Sequence, residues 1–144
     1  MKDMMKKLAE TVDFLKGKIG FIPEIAIILG SGLSKLADFI EDTQEIAYED
    51  IPNFPETTVA GHEGKLIFGT LKGRKVVAMK GRFHFYEGND MGVVVYPIRV
   101  FKSMGIENLI VTNAAGGVNM DFKPGDLMLI SDHISLFCDN PLRG

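Results

Sequence analysis

The hydrophobic residues of the chain recur first at helical spacing and then in an unbroken run. Met5, Leu8, Val12 and Leu15 lie three or four residues apart, and Gly17 follows them. This spacing predicts an amphipathic helix that ends at the glycine. The next apolar segment, EIAIIL, is continuous and rich in isoleucine, which is typical of a strand buried on both faces.

A glycine turn then returns the pattern to helical spacing. The strand EIAIIL runs into GSG, after which Leu33, Leu36 and Ile40 again lie three or four residues apart. A strand, a glycine turn and a helix in this order indicate an α/β fold. The segment EDIPNFPETTVAGHEG carries two prolines and two glycines and is predicted to be a long functional loop.

The second half of the pattern predicts a hairpin, a helix and two further strands. KLIFGTL and RKVVAMK flank Lys72-Gly73 and predict the hairpin. A helical stripe then ends at Gly105, and Pro97 within it predicts a kink. ENLIVTN has the composition of a second buried strand, and GDLMLISDHISL is a third strand candidate. The stripe consists of Met91, Val94, Val95, Ile98 and Phe101.

Composition limits the chain to one domain over residues 1–144 and excludes several classes. The 144 residues, 46% hydrophobic and 24% charged, suffice for one globular core. A formal net charge of −3 disfavours binding to nucleic acid or anionic lipid. No apolar stretch has the length of a membrane span, and the charged N-terminus lacks a secretory signal. The single cysteine, Cys138, excludes an internal disulfide and fits a reducing cytoplasm.

Three glycine- or arginine-containing segments are candidates for binding chemistry. In Gly30-Ser31-Gly32, backbone amides and a hydroxyl at the end of a strand suit an oxyanion, although a plain tight turn explains the glycines equally well. Lys35 stands where a dinucleotide fingerprint needs its third glycine, which disfavours NAD. TNAAGG, residues 112–117, repeats this logic after the strand ENLIVTN, and close strand packing is its alternative reading.

The stretch GRFHFYEG, residues 81–88, is the third candidate. With a period of two, Arg82, His84 and Tyr86 point one way and Phe83 and Phe85 the other. The aromatic rings predict anchoring in the core. Arginine suits two-pronged binding of phosphate or carboxylate, histidine adds a donor, and tyrosine suits a sugar. A partly buried strand edge with incidental polar residues is the alternative.

Neighbouring residues extend this picture without adding a metal. Glu87 is predicted to pair with Arg82 or His84, and His62 in AGHEG is a candidate pocket residue, as is Asn113. The histidines lie outside metal-binding spacings, since HEGKL lacks the second histidine of HExxH. The residues therefore point to an anion, best matched by phosphate, beside a sugar. Glycosyl transfer to phosphate fits that combination.

At these residues the sequence resembles the trimeric class of purine nucleoside phosphorylases. Eight segments carry the resemblance in the family's order, from Ile25 to the last residue: ILGSGL, IPNFP, GHEGKLIFG, GRFHFYEG, YPIRVFKSMG, VTNAAGGVN, GDLMLISDHI and NPLRG. The resemblance implies an α/β phosphorylase fold with a twisted, mixed central sheet flanked by helices. It also implies that the chain corresponds to the N-terminal half of a family member, so that the fold is incomplete.

The resemblance implies reversible phosphorolysis of purine ribonucleosides or deoxyribonucleosides, with phosphate as co-substrate and no cofactor. Ser31, Arg82, His84 and the backbone amide of Ala114 resemble the family's phosphate ligands, and Tyr86 resembles its ribose contact. The purine-recognising residues of the family fall beyond this chain. The partner is therefore expected to be a further copy, as in a trimer, or a missing C-terminal half. A noncatalytic phosphate-binding fragment and a methylthioadenosine phosphorylase-like enzyme are the alternatives.

Overall fold

The computed structural model describes residues 2–55, 64–136 and 140–142, and its helices and strands confirm the α/β class. Helix α1 carries the predicted first apolar stripe, although Met5 at its start is exposed. Helix α2 begins after Asp90, whose side chain accepts a hydrogen bond from the amide of Val93, and ends at the predicted Gly105. The helix continues through Pro97, and the predicted kink there stays a prediction. The elements are α1 (Lys2–Lys18), β1 (Ile25–Ile28), β2 (Glu41–Ala47), β3 (Lys65–Leu71), β4 (Arg74–Lys80), α2 (Met91–Met104) and β5 (Asn108–Val111).

The described strands form one mixed sheet in the order β2-β3-β4-β1-β5. Strand β1 lies between β4 and β5 and runs parallel to both, whereas β3 is antiparallel to its neighbours β2 and β4. In this register Ile28 lies opposite both Met79 and Val111. The carboxyl ends of three parallel strands therefore lie side by side, which is where open α/β sheets bind their ligands.

The two faces of the sheet are buried against different elements. Ala26 and Ile28 belong to a large apolar cluster that includes side chains from α1 and α2, such as Leu15 and Val100. Ile27 faces the opposite way, into a smaller cluster covered by a 3-10 helix at Ser34–Phe39. This alternation confirms that β1 is buried on both faces, as its continuous apolar run predicts.

An aromatic cluster ties the loops to the large core. The Tyr48 ring centroid lies 4.9 Å from that of Phe54 and 5.6 Å from that of Phe83. Phe54 also meets Tyr96 of α2 edge-on, with centroids 6.2 Å apart and ring planes at 78°. All four residues are buried. The IPNFP segment, the loop after β4 and helix α2 therefore share one packed contact, since tilted and edge-on ring pairs are favourable at these separations.

The stretch of residues 81–88 does not keep the predicted period of two. Phe83 is buried as predicted, but Phe85 begins a 3-10 helix, Phe85–Glu87, and its side chain is 42% exposed. The prediction that both phenylalanines anchor the core is therefore wrong for Phe85. The helical turn rotates the chain out of the extended geometry on which the alternation depended.

The helix predicted after GSG is shorter than expected, and one strand was missed. Residues Ser34–Phe39 form a 3-10 helix instead of an α-helix, and Leu33 before it is 40% exposed. Ile40 then leads into β2, whose sequence EDTQEIA shows no hydrophobic alternation. Strand β2 lies at the sheet edge and is mostly exposed, so backbone pairing with β3 stabilises it without an apolar pattern.

The predicted strand GDLMLISDHISL is not a strand in the described residues. Leu127 and Leu129 are 96% and 95% exposed. Strand β5 forms as predicted from ENLIVTN, but the prediction that it is buried is wrong, because it is exposed along its length. A buried strand needs a backbone partner and a covering layer, and no described segment supplies either to the run around Leu127. The prediction from composition alone was wrong for this segment. In the described residues, no helix is long and apolar enough to cross a membrane.

We expect Phe83→Ala to lower the free energy of unfolding by about 3–5 kcal/mol, because it opens a cavity in the aromatic cluster. Phe85→Ala is the matched control two positions away, and its expected effect is about 0.5 kcal/mol or less, because the side chain is partly in solvent. Urea unfolding followed by circular dichroism measures both. Equal losses for the two variants would contradict the assignment of Phe83, and not Phe85, to the core.

Candidate active site

Thr112 joins the carboxyl ends of β1 and β5. Its amide and its hydroxyl both donate to the carbonyl of Ile28, at 3.1 and 3.0 Å. The same hydroxyl accepts a hydrogen bond of 2.8 Å from the amide of Gly30. The threonine side chain thus forms hydrogen bonds with backbone groups at the point where strand pairing stops and where they would otherwise lack partners.

Gly30 permits this close approach. A Cβ atom added at position 30 would lie 2.3 Å from the carbonyl oxygen of Thr112, a separation that forces the backbone apart. Gly32 has a different requirement, since its φ of 86° lies in the left-handed region. Close packing therefore requires Gly30, and the tight turn requires Gly32. The conformation of the loop that carries Ser31 depends on both glycines.

Arg82 brings the loop after β4 to the same point. Its Nη1 donates to the Thr112 carbonyl at 2.9 Å, and its Nε donates to His84 Nε2 at 2.9 Å. A guanidinium carries five planar N–H donors. Two bonds to fixed partners therefore set the plane of the group. Thr112, Ile28, Gly30 and Arg82 together are called the Thr112 junction below.

The Arg82 contact fixes the tautomer of His84. Because a guanidinium Nε is a donor only, His84 Nε2 accepts, and the proton of the neutral ring is on Nδ1. That Nδ1 donates to Glu87 Oε1 at 2.8 Å, and Glu87 Oε2 accepts from the His84 amide at 3.2 Å. Asn89 Nδ2 donates to Glu87 Oε2 at 3.3 Å and to the His84 carbonyl at 3.1 Å. Of the two predicted partners, Glu87 is thus paired with His84, and its carboxylate orients the imidazole.

Tyr86 lies beside His84, as predicted, because its ring stacks on that of His84 and not because the side chains alternate along a strand. Its ring lies 4.6 Å from the His84 ring, centroid to centroid, with 26° between the planes. The Tyr86 side chain is 81% exposed, whereas those of His84 and Glu87 are 25% and 16% exposed. The aromatic face next to the Arg82–His84 pair is therefore accessible from solvent.

The other predicted residues flank the junction. Ser31 follows Gly30, and Asn113 and Ala114 follow Thr112; all three are exposed. Asn113 Nδ2 donates to the carbonyl of Ala114 at 3.3 Å. Ala114 lies two residues after Thr112, the partner of Arg82, and Ser31 lies one residue after Gly30, whose amide donates to the Thr112 hydroxyl. The structure therefore brings the three candidate segments to one edge of the sheet.

Two predicted positions lie outside the described residues, and one contributing residue was missed. His62 and Cys138 both lie outside the described ranges. Sequence reasoning missed Thr112, the first residue of TNAAGG. Its signal in the sequence is a hydroxyl residue directly after a strand, where side-chain bonds to backbone are common. In the described residues, no group of three or more His, Cys, Asp or Glu side chains is placed to hold a metal.

Comparison with known proteins assigns the chain to a family. Residues 24–144 match the sequence model of the Phosphorylase superfamily, so the chain belongs to that superfamily. Within it, the chain is 55% identical to purine nucleoside phosphorylase 1 of Bacillus subtilis over 144 residues, covering 100% of this chain and 52% of the relative. Against the mouse purine nucleoside phosphorylase the identity is 51% over 137 residues, covering 93% and 47%.

Solved structures give the same result and confirm the phosphorylase-type fold. A purine nucleoside phosphorylase crystallised with ribose-1-phosphate superposes with a TM-score of 0.80 at 52% identity, over 85% of this chain and 45% of the other. The Schistosoma mansoni enzyme in complex with inosine gives a TM-score of 0.79 at 51% identity, over 85% and 42%. The resemblance to purine nucleoside phosphorylases is confirmed, and the chain spans about half the length of these relatives.

We expect Gly30→Ala to lower the free energy of unfolding by about 1–3 kcal/mol, because the new methyl group overlaps the Thr112 carbonyl. Gly20→Ala is the control, since a Cβ there has no neighbour within 4 Å, and about 0.5 kcal/mol or less is expected. Chemical denaturation measures both. A Gly30→Ala variant as stable as Gly20→Ala would show that the close approach at Thr112 does not constrain the fold.

Proposed function

We propose that this chain takes part in the reversible phosphorolysis of purine ribonucleosides and deoxyribonucleosides, which yields the free base and (deoxy)ribose 1-phosphate. The chain supplies the phosphate side of the site and part of the ribose side. The observation that supports this most directly is the Arg82–His84 pair fixed at the Thr112 junction, in a chain about half identical to named phosphorylases.

The phosphate ligands in this proposal come from three strand ends. Arg82 and His84 contribute side chains, Ser31 contributes its hydroxyl, and Ala114 contributes its backbone amide. The two short loops bring amides close to an oxyanion at the carboxyl ends of β1 and β5. Inorganic phosphate is then a co-substrate, and the reaction as proposed needs no organic cofactor and no metal.

Tyr86 is proposed to contact the ribose, because its exposed ring stacks beside His84. Phosphorolysis passes through a ribose that carries positive charge as the bond to the base lengthens. A phosphate held beside C1′ stabilises that charge and then forms the new bond to carbon. Position and electrostatics supply most of the rate in such a site.

His84 must change its hydrogen bonding when phosphate arrives. In the structure its Nε2 accepts from Arg82, so a hydrogen bond from Nε2 to a phosphate oxygen requires that contact to break and Nε2 to carry the hydrogen. Glu87, bonded to the other ring nitrogen, keeps the imidazole oriented while the Nε2 contact changes. We therefore propose that Glu87 orients His84. Phosphate would bind between His84 and Arg82 after the hydrogen bond between these two side chains breaks.

The exposed apolar surface supports a partner that carries the rest of a phosphorylase fold. Strand β5 and residues 127–130 expose Leu109, Ile110, Leu127 and Leu129, an unusual surface for a protein in water. The relatives are about twice as long as this chain. We propose that a C-terminal phosphorylase segment covers this surface and adds base recognition, in a cytoplasmic enzyme that assembles as a homotrimer.

The test is phosphorolysis of inosine, with hypoxanthine release followed by chromatography. The purified chain is assayed alone and with a separately expressed segment, namely the part of the Bacillus subtilis relative that this chain does not match. We expect turnover only in the mixture, because base recognition comes from the added segment. Turnover by the chain alone would contradict that division of the site.

Phosphate binding is tested separately by thermal unfolding of the chain with and without inorganic phosphate. Phosphate at tenfold its Kd should raise Tm by about 3–5 °C, because it binds only the folded chain. Arg82→Ala should abolish this rise. Arg74→Ala is the matched control at the opposite end of β4, where Arg74 pairs with Glu24 and the rise should persist. An inactive mixture together with an unchanged Tm would overturn the proposed function.

A further inference from the structure

The buried hydroxyl of Tyr48 contacts the backbone next to the site and has no role in the proposed chemistry. Tyr48, which is 2% exposed, donates through its phenol oxygen to the Gly81 carbonyl at 2.6 Å. The Lys80 carbonyl lies 3.4 Å from the same oxygen. Tyr48 precedes the IPNFP segment, and Gly81 directly precedes Arg82. A hydrogen bond between distant parts of the chain therefore ends one residue from the central cation of the site.

The phenol can act there only as a donor. A carbonyl oxygen accepts, and burial raises the pKa of Tyr48 far above its ordinary value, so the proton remains in place at all working pH values. The ring itself cannot turn freely, because it packs against Phe54 and Phe83. The aromatic cluster thus holds the hydroxyl at a fixed position.

The Gly81 carbonyl controls the direction in which Arg82 leaves β4. The carbonyl of Gly81 and the amide of Arg82 belong to one planar peptide group, so a fixed carbonyl fixes that plane. Gly81 has a φ of 94°, which turns the chain sharply after the strand. A glycine in this region has little steric resistance to rotation. An external hydrogen bond is therefore an effective restraint on the turn.

We propose that Tyr48 is a positioning residue that holds Arg82 in its anion-binding orientation through the hydrogen bond to the Gly81 carbonyl. The consequence for phosphate rests on the proposed function, whereas the restraint on Arg82 does not. The aromatic cluster then has two effects, burial of apolar surface and alignment of the guanidinium. Phe54 and Phe83 both pack against the Tyr48 ring, and Phe83 also lies between Arg82 and His84 in the chain.

Tyr48→Phe and Tyr96→Phe form a matched pair for the test. Both tyrosines are buried in the same cluster and have bonded hydroxyls, but that of Tyr96 lies 2.9 Å from the Thr11 hydroxyl of α1. Calorimetric titration gives the phosphate Kd, urea unfolding gives stability, and NMR reports the Arg82 Nε–H signal. We expect both variants to lose stability. Only Tyr48→Phe should weaken phosphate binding, by about three- to tenfold, and shift the Arg82 signal.

The outcomes separate this proposal from the proposed function. If the unsubstituted chain binds no phosphate, the phosphate site assigned to this chain fails, and the Arg82 signal alone decides the positioning role. A Tyr48→Phe variant that loses stability as Tyr96→Phe does, with an unchanged Arg82 signal and Kd, overturns the proposal.

If Tyr48→Phe does not fold, the unsubstituted chain labelled with 3-fluorotyrosine replaces it, since Tyr48, Tyr86 and Tyr96 are its only tyrosines. Fluorine NMR then follows the addition of phosphate. A response of Tyr48 and Tyr86 without Tyr96 supports the positioning role. If the fluorine signal of Tyr86 changes on addition of phosphate and that of Tyr48 does not, the positioning role is overturned.

Discussion

The candidate site depends on the parallel alignment of β1 with β4 and β5, because that alignment brings three strand ends to one edge. Thr112 converts the alignment into a fixed geometry by bonding the amide of Gly30, the carbonyl of Ile28 and the guanidinium of Arg82. None of these contacts is local in sequence. A strand register that slipped by one residue would turn alternate side chains to the other face and separate all three groups.

The sequence predicted the elements whose stability comes from their own apolar pattern. Helix α1, strand β1, the hairpin and helix α2 all carry such a pattern and are present as expected. Strand β2 was missed, because an edge strand can be stabilised by backbone pairing alone and its residues carry no signal. For the run around Leu127 the error was the opposite one, since a strand was predicted and none forms. Its composition suits a buried strand, but strand formation depends on a neighbour that the described part of the chain does not provide.

The proximity of the candidate site residues was predicted better than the local structure that brings them together. Arg82, His84 and Tyr86 were grouped because alternation placed them on one side, and the structure brings them together through a hydrogen bond and a ring stack. The grouping was right, but its geometric reason was wrong for Phe85. The contributions of Thr112 and Tyr48 to the site could not be recognised from the sequence. Their importance comes from partners 30 or more positions away, which only the tertiary fold identifies.

The Lys72-Gly73 turn lies at the opposite end of the hairpin from Arg82. Both residues have positive φ, at 50° and 77°, which is the backbone geometry of a tight two-residue hairpin loop. Strand β4 separates the turn from the site by about 20 Å at the usual rise per residue. An exposed turn so far from the strand ends is a suitable attachment point for a fluorophore or a surface tether. The chain can thus be immobilised with the sheet edge that carries the candidate site directed away from the support.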